Sequence, residues 1–122
     1  MNPVCEMLGS RYPIIQGAMA RISNPEMVAA VSEAGGYGLL ASGSLSGVEE
    51  LKAQIEAVRQ LTDKPFGANL MAANPRSKEY VSVLADLGIG AVTTSAGSPK
   101  ELAPLLRKAG ITDYRGFAKE VL

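Results

Sequence analysis

The sequence alternates four times between a short apolar run and a longer segment with helical spacing, and this alternation limits the folds open to it. The apolar runs are "PIIQG", "YGLLASG", "PFGANLM" and "AVTTSAG", each too short for a helix and placed at or after a Gly or a Pro. Such runs are typical of strands buried on both faces of a parallel sheet. The order βαβαβαβα therefore predicts an α/β fold with parallel strands.

The segments between these runs carry helix start and stop signals. Asn24 is placed as an N-cap before Pro25 at the first helical position, and Gly110 is placed as a left-handed C-terminal cap. Ser46 and Glu49 have the spacing of a capping box. The four predicted helices begin near residues 24, 46, 77 and 98.

The ends of the predicted strands distinguish two architectures. All four strands end in small or polar residues, which are Gln16-Gly17-Ala18, Ala41-Ser42-Gly43, Asn69, and Thr93-Thr94-Ser95. In a TIM barrel the carboxyl ends of all strands meet on one face, where ligands bind. A doubly wound open sheet needs such endings mainly at its one switch point. The endings favour the barrel, and the open sheet is the alternative.

The chain has 122 residues, whereas a closed barrel takes about 250. The repeat stops after the fourth helix, since "TDYR" at residues 112–115 has too many polar side chains for a doubly buried strand. We therefore predict a parallel (βα)4 half of a TIM barrel over residues 1–110, followed by a tail over residues 111–122 that forms a turn and a short helix. The two open sheet edges would be covered by the tail or paired in a homodimer.

Composition restricts the possible partners and chemistry. Twelve basic and twelve acidic residues balance, so long-range charge gives no reason to expect a nucleic acid or an anionic membrane as partner. No apolar run approaches the ~20 residues of a membrane helix, and we recognise no signal peptide. The single cysteine, Cys5, suits a reducing cytoplasm. There is no histidine, and we assign neither a catalytic side chain nor a metal site.

Taken together, four stretches resemble the N-terminal half of a known flavoenzyme family. The stretches "YPIIQGAMA", "VSEAGGYGLLASG", "LTDKPFGANLM" and "AVTTSAGSPKEL" are similar in order and spacing to the nitronate monooxygenases, also called 2-nitropropane dioxygenases. The FMN-dependent enoyl-acyl-carrier-protein reductases of the second type are close relatives of that family. The resemblance covers roughly residues 6 to 110. It implies a TIM barrel that binds FMN at the carboxyl ends of its strands, with the flavin carrying the redox chemistry.

The resemblance also assigns cofactor-binding positions. These are Gly17, Ala18, Met19, Asn69, Ser42 and Ser95. Residues 17–19 would form a shelf under the isoalloxazine ring, since Gly and Ala let the backbone approach a flat ring and Met is polarisable. Asn69 would hydrogen-bond the flavin, and the two serines would lie near it. The residues alone also allow a plainer interpretation, in which Asn69 fixes a loop and residues 18 and 19 are junction residues.

The activity that the resemblance implies is the oxidation of an alkyl nitronate, a small molecule, by O2. In the family the catalytic His and the FMN phosphate loops lie in the second half of the barrel, and this sequence has no counterpart of either. We therefore expect this chain to be weak or inactive alone. One alternative is a non-catalytic half-barrel remnant or flavin-binding module. The other is a fragment of an FMN- and NAD(P)H-dependent enoyl-acyl-carrier-protein reductase.

Overall fold

The computed structural model of the chain describes residues 2–115, in which parallel strands alternate with helices. The helices are α1 (Pro3–Leu8), α2 (Pro25–Glu33), α3 (Val48–Leu61), α4 (Ser77–Asp86) and α5 (Leu102–Ala109). The strands are β1 (Gly38–Ala41), β2 (Phe66–Met71), β3 (Ala91–Ser95) and β4 (Thr112–Arg115), and a short 3-10 helix (Ser42–Ser44) follows β1.

The sheet has the order β1-β2-β3-β4, and each neighbouring pair is parallel. Among the strands of residues 2–115, consecutive strands are therefore neighbours, without the reversal of strand order that defines a doubly wound sheet. This sequential arrangement confirms the predicted parallel α/β fold and is that of a half TIM barrel.

Two of the predicted helix signals are present as predicted. The Asn24 side chain accepts a hydrogen bond from the Met27 N–H at 2.9 Å, and Pro25 occupies the first position of α2. Gly110 ends α5 with a left-handed backbone, at φ 75°. Asn24 satisfies a backbone N–H at the start of α2, and Gly110 terminates α5 because glycine adopts the left-handed conformation without strain.

The predicted capping box at α3 is wrong by one residue. The amide N–H and the hydroxyl of Ser46 both donate to the Glu50 carboxylate, at 2.8 and 2.6 Å, rather than to Glu49. The N-cap of α3 is Gly47, whose side chain offers no acceptor. The carboxylate one turn into the helix therefore holds the preceding loop.

The first apolar run does not form the predicted strand. Within it only Ile15 makes a β-bridge, to Tyr37. The backbone leaves the edge of β1 immediately afterwards, and the Gln16 side chain takes its place there, donating to the Leu39 carbonyl at 3.2 Å. Ile14 is 61 % exposed and Ile15 is only half-buried, so this apolar run is neither a continued strand nor a buried one.

Residues 112–115 form β4, so the prediction of a turn there is wrong. The argument against a strand assumed burial on both faces, but among the strands of residues 2–115 β4 lies at the edge of the sheet and pairs with β3 alone. Thr112 and Asp113 are half-buried, and the Thr94 hydroxyl donates to the Asp113 carboxylate at 3.4 Å. The short helix predicted for the rest of the tail lies outside the described residues.

The sheet separates two apolar clusters. The larger one joins the helices α2 to α5 to alternate strand residues, and its fully buried members include Val28, Leu51, Leu84, Val92 and Leu106. The smaller one lies on the other, inner face of the sheet and consists of Leu8, Tyr37, Leu39 and Ala91. Within residues 2–115, no helix has the length and apolar character needed to cross a membrane.

Candidate functional site

The inner face of the sheet becomes polar toward the carboxyl ends of β2 and β3. Asn69 and Thr93 are register partners on these neighbouring strands, so their side chains emerge on the same face. The Thr93 hydroxyl donates to Asn69 Oδ1 at 2.7 Å, and Asn69 Nδ2 donates to Ser95 Oγ at 2.9 Å. These two bonds fix the orientation of the amide and bring the predicted residues Asn69 and Ser95 together.

Ser42 stabilises the Asn69 side of this site through the backbone of β2. It is fully buried, and its hydroxyl donates to the backbone carbonyl of Asn69 at 2.6 Å. A side chain with no accessible surface contacts a ligand only through its neighbours. Ser42 therefore acts on the site by fixing the backbone of β2 at Asn69.

The segment of residues 17–19 is irregular but firmly held. The Met19 N–H donates to Ser23 Oγ at 2.8 Å, and the Ser23 N–H donates back to the Met19 carbonyl at 2.8 Å. Gln16 Nε2 donates to the Gly17 carbonyl at 2.8 Å. The segment is thus fixed by hydrogen bonds without belonging to a helix or strand.

The same segment remains open to the outside. Gly17 is exposed, Met19 is 42 % exposed, and Ala18 packs half-buried against the inner cluster. A Cβ added at Gly17 would meet no heavy atom within 4 Å, and the backbone of Gly17 is not left-handed. Nothing within residues 2–115 therefore requires a glycine at this position.

These features fit the ring system of FMN as judged from the residues present. Asn69 uses one of its two N–H groups and one acceptor position, so one of each remains for a polar ring edge. Gly17 leaves room for a flat surface to approach the backbone, and Met19 offers an exposed thioether beside it. The residues that the resemblance implies would therefore contact the ring from its face and its edge.

Titratable groups contribute little to this site. The described residues contain no group of three or more Cys, Asp or Glu side chains that could hold a metal ion. Hydrogen bonds from Ser46 lower the pKa of Glu50, and burial raises the pKa of Tyr80. Neither residue belongs to the predicted site, whose residues Gly17, Ala18, Met19, Ser42, Asn69 and Ser95 include no titratable side chain.

A cavity of about 580 Å³ lies at the opposite end of the strands, at the amino ends of β2 and β3. It is lined by residues such as Leu8, Tyr37 and Phe66, and by none of the predicted site residues. In parallel α/β folds the amino ends of the strands contribute to stability and the carboxyl ends carry the ligand site. The polar carboxyl end is accordingly the candidate site.

Sequence reasoning missed three residues that shape this site, namely Gln16, Ser23 and Thr93. Thr93 was recognisable only as a polar strand ending, because its contact with Asn69 depends on the register between β2 and β3. Gln16 was likewise recognisable only as a polar strand ending, and Ser23 lies in a segment whose main chain makes no ladder, so no periodic pattern marks it. Their roles follow from the hydrogen bonds alone.

Comparisons with known proteins find relatives of this chain in both sequence and fold. The sequence model described as "Nitronate monooxygenase" matches residues 2–99. A Staphylococcus aureus protein described as "Probable nitronate monooxygenase" is 40% identical over 81 residues, which cover 66% of this chain and 22% of that protein. The structure of FabK from Thermotoga maritima superposes with a TM-score of 0.85 at 36% identity, covering 92% of this chain and 36% of that one.

A further relative has a different printed activity. The (3aS,4S,5R,7aS)-5-hydroxy-7a-methyl-1-oxo-octahydro-1H-indene-4-carboxyl-CoA dehydrogenase of Mycobacterium tuberculosis is 32% identical over 109 residues. The match covers 89% of this chain and 30% of that protein. The chain thus spans about 30% of the length of the first curated relatives that it matches.

Proposed function

This chain belongs to the nitronate monooxygenase family, and from that membership we propose that it supplies the ring-binding part of an FMN site in an oxidoreductase that oxidises alkyl nitronates with O2. The proposal covers the role of the described residues in cofactor binding and the identity of the substrate. The family and the fold are its premises.

The observation that carries the proposal is the state of residues 17–19. This segment is held by hydrogen bonds at Gly17 and Met19, yet it is exposed, and Gly17 has open space where a side chain would lie. Ordered backbone with an unexplained glycine is what a flat ligand requires on the side from which it approaches. The inner cluster supports the segment from behind through Ala18.

Each site residue has a defined part in this proposal. Residues 17–19 contact the face of the isoalloxazine ring, and the Asn69 amide bonds to its polar edge in the orientation set by Thr93 and Ser95. Ser42 holds the Asn69 backbone in place. Bound FMN would supply the redox chemistry, passing electrons from the nitronate to O2.

We expect the 122-residue chain to oxidise nitronates weakly or not at all by itself. The sequence has no histidine to act as a base near neutral pH, and the candidate site presents no described acid or base. Nitronate-dependent O2 consumption by the purified chain measures this, with a full-length family member as reference. A comparable rate would show that the chain is a complete catalyst.

A second candidate substrate class is a thioester. It is supported by the Mycobacterium tuberculosis relative, whose name specifies a coenzyme A ester, and by the resemblance to flavin-dependent enoyl-acyl-carrier-protein reductases. An enoyl thioester would be reduced with NAD(P)H as the electron donor. Oxidation of NAD(P)H that depends on an enoyl thioester, without nitronate-dependent O2 consumption, would favour this class.

We also propose a cytoplasmic location and a homodimer that pairs through open sheet edges. The buried free thiol of Cys5 suits a reducing compartment. β4 pairs only with β3 among the described strands, and exposed strand edges favour association. Light scattering tests the dimer, and a monomeric mass at micromolar protein would contradict it.

FMN titration with a matched glycine pair tests the cofactor proposal. The protein should quench FMN fluorescence, and Gly17→Val should weaken binding at least about tenfold, because the new side chain fills the space that the ring needs. Gly90→Val is the control, since Gly90 is also exposed and open but lies at the amino end of β3. It should leave the FMN Kd unchanged.

Two results of the FMN titration would contradict the cofactor proposal. A colourless protein that binds no FMN at high micromolar concentration would contradict the proposal and favour a half-barrel remnant without a cofactor. Equal loss of binding in both glycine variants would show that the flavin contacts are not at residues 17–19.

A further inference from the structure

The main chain leaves the edge of β1 at Gln16. Up to this point it pairs as a parallel strand does, since the Tyr37 N–H donates to the Ile14 carbonyl at 2.9 Å and the Gln16 N–H to the Tyr37 carbonyl at 3.0 Å. Leu39 is the next residue of β1 to face the same edge, because alternate residues of a strand repeat the same orientation. A continuing strand would pair there, but the backbone turns away.

The side chain of Gln16 replaces the missing strand. Its Oε1 accepts from the Leu39 N–H at 3.3 Å, and its Nε2 donates to the Leu39 carbonyl at 3.2 Å. A glutamine amide carries a donor and an acceptor side by side, as a peptide group does. It therefore satisfies the edge of β1 while the backbone of residues 17–19 is free to leave the sheet.

The same amide nitrogen also contacts residues 17–19, the segment that leaves the sheet after Gln16. Gln16 Nε2 lies 2.8 Å from both the Gly17 carbonyl oxygen and Ser23 Oγ, so its two N–H groups are shared among three acceptors, of which the Leu39 carbonyl is the most distant. Ser23 is buried, and its Oγ in turn accepts the Met19 N–H at 2.8 Å. One side chain thus connects β1, residue 17 and, through Ser23, residue 19.

We infer that Gln16 is the positioning residue of the flavin shelf: its side-chain amide fixes residues 17–19 against β1 in the conformation that receives the ring. The inference rests on the proposed function for its second half, the effect on FMN. Its first half, the ordering of the segment, concerns the protein without a ligand and is measured separately.

Amide hydrogen exchange of the flavin-free chain tests the ordering. Gln16→Met keeps a side chain of similar length but removes the amide and with it the polar contacts to Gly17, Ser23 and Leu39. The Leu39 and Met19 amides should then exchange about tenfold faster or more, since each loses a direct or relayed partner. Ser23→Ala breaks only the relay, so Met19 should exchange faster while Leu39 stays protected. Gln60→Met, on the exposed face of α3, is the matched control and should change neither amide.

FMN binding tests the positioning. We expect Gln16→Met to raise the FMN Kd about tenfold, and to alter the visible circular dichroism of the bound flavin at saturation, where loss of stability alone has no effect. Gln60→Met should match the original chain in both measurements. Unchanged exchange at the amides of β2 shows that the variant is folded.

Each result decides one half of the inference. Unchanged exchange at Leu39 and Met19 in Gln16→Met would overturn the ordering role even if the chain binds FMN. Faster exchange with an unchanged Kd and dichroism would overturn the positioning role alone. If the unmodified chain binds no FMN, the proposed function fails together with the positioning role, and the exchange experiment still decides whether Gln16 orders the segment.

Discussion

The two ends of the inner sheet face are built from different groups. At the amino end, Leu8 of α1 packs on Tyr37, Leu39 and Ala91, and all four side chains are buried. The Tyr37 hydroxyl reaches across β2 and donates to the Ala91 carbonyl at 2.8 Å. These four side chains pack against one another and the Tyr37 hydroxyl is hydrogen-bonded, so the amino end contributes to stability.

At the carboxyl end, hydrogen-bonding capacity and apolar surface remain unused. Within residues 2–115, Asn69 keeps an N–H and an acceptor position beyond its bonds to Thr93 and Ser95, and Met19 is exposed. The two ends therefore differ in whether their polar groups are paired within the described fold. The position of a polar residue along its strand then indicates whether it serves folding or binding.

Glycine substitutions at the two ends should give the largest contrast. Gly67→Ala places a Cβ 2.8 Å from the Tyr37 hydroxyl oxygen and in conflict with the Ala91 carbonyl. Because the strand backbone cannot shift without disturbing its ladder, we expect a loss of about 3 kcal/mol in the free energy of unfolding. Urea denaturation followed by circular dichroism measures it.

Gly17→Ala is the counterpart at the open end. The added Cβ meets no heavy atom of the described chain within 4 Å, so the free energy of unfolding should change by less than about 0.5 kcal/mol. Similar losses in both variants would show that the two ends do not differ in packing.

A smaller effect is expected from Tyr37→Phe. The change removes the hydroxyl that donates to the Ala91 carbonyl and leaves that acceptor with one partner fewer in a buried site. The expected loss is about 1.5 kcal/mol in the free energy of unfolding, measured by urea denaturation.

Tyr80→Phe is the matched control, because the Tyr80 hydroxyl is buried without a hydrogen-bond partner among residues 2–115. Removing an unpaired buried hydroxyl relieves its desolvation, so this variant should be neutral or more stable by up to about 1 kcal/mol. If it loses as much stability as Tyr37→Phe, removal of a buried hydroxyl in general, and not of its hydrogen bond to Ala91, accounts for the loss at the amino end.

The repeating units were predictable because they depend on local chemistry. Apolar runs and caps such as Asn24 act within a few residues, so the parallel order and the helices α2 to α5 followed from the sequence. Helix α1 was missed although Asn2-Pro3 has the same start signal, with the Asn2 side chain accepting from the Val4 N–H at 2.8 Å. The start signal of α1 is present in the sequence, but it lies outside the repeat of apolar runs and helices because no apolar run precedes it.

The edges of the sheet were not predictable, because a residue pattern does not tell which strands lack a neighbour. Thr112 and Asp113 are only half-buried in β4, because β4 is an edge strand among the described residues. "PIIQG" is apolar but stops pairing after a single bridge, since Gln16 supplies the next hydrogen bonds from its side chain. Both outcomes depend on contacts between segments distant in sequence.

The candidate site also combines residues that the sequence predicted with residues that only the structure identified. Asn69 and Gly17 were found through resemblance of strand endings, while their partners required the structure. Thr93 contacts Asn69 only because of the β2–β3 register. Gln16 contacts Leu39 across 23 positions of sequence. Composition and spacing can indicate which residues meet a ligand, but not which residues orient them.

The smallest expected effect concerns pH, and it extends the comparison to the loop after β1 at the carboxyl end. Ser46 donates two hydrogen bonds to the Glu50 carboxylate and so holds the loop on α3. These bonds lower the pKa of Glu50 below its ordinary value of 4.5. A lowered folded-state pKa stabilises the fold above the unfolded value, and this stabilisation is lost as the pH falls through the folded-state pKa.

Glu50→Gln should therefore lower the melting temperature at pH 7, and the difference from the original chain should shrink below the ordinary carboxyl pKa of 4.5, as the carboxylate takes up its proton. Glu49→Gln removes the same charge from the same helical turn without touching Ser46 and is the control. The cluster of Leu8, Tyr37, Leu39 and Ala91 at the amino end has no such charge-assisted contact. Leu8→Ala should therefore lower the melting temperature by the same amount at pH 7 and below pH 4.5. An equal pH dependence for Glu49→Gln and Glu50→Gln would show that helix charge, and not the bond to Ser46, controls this end of the sheet.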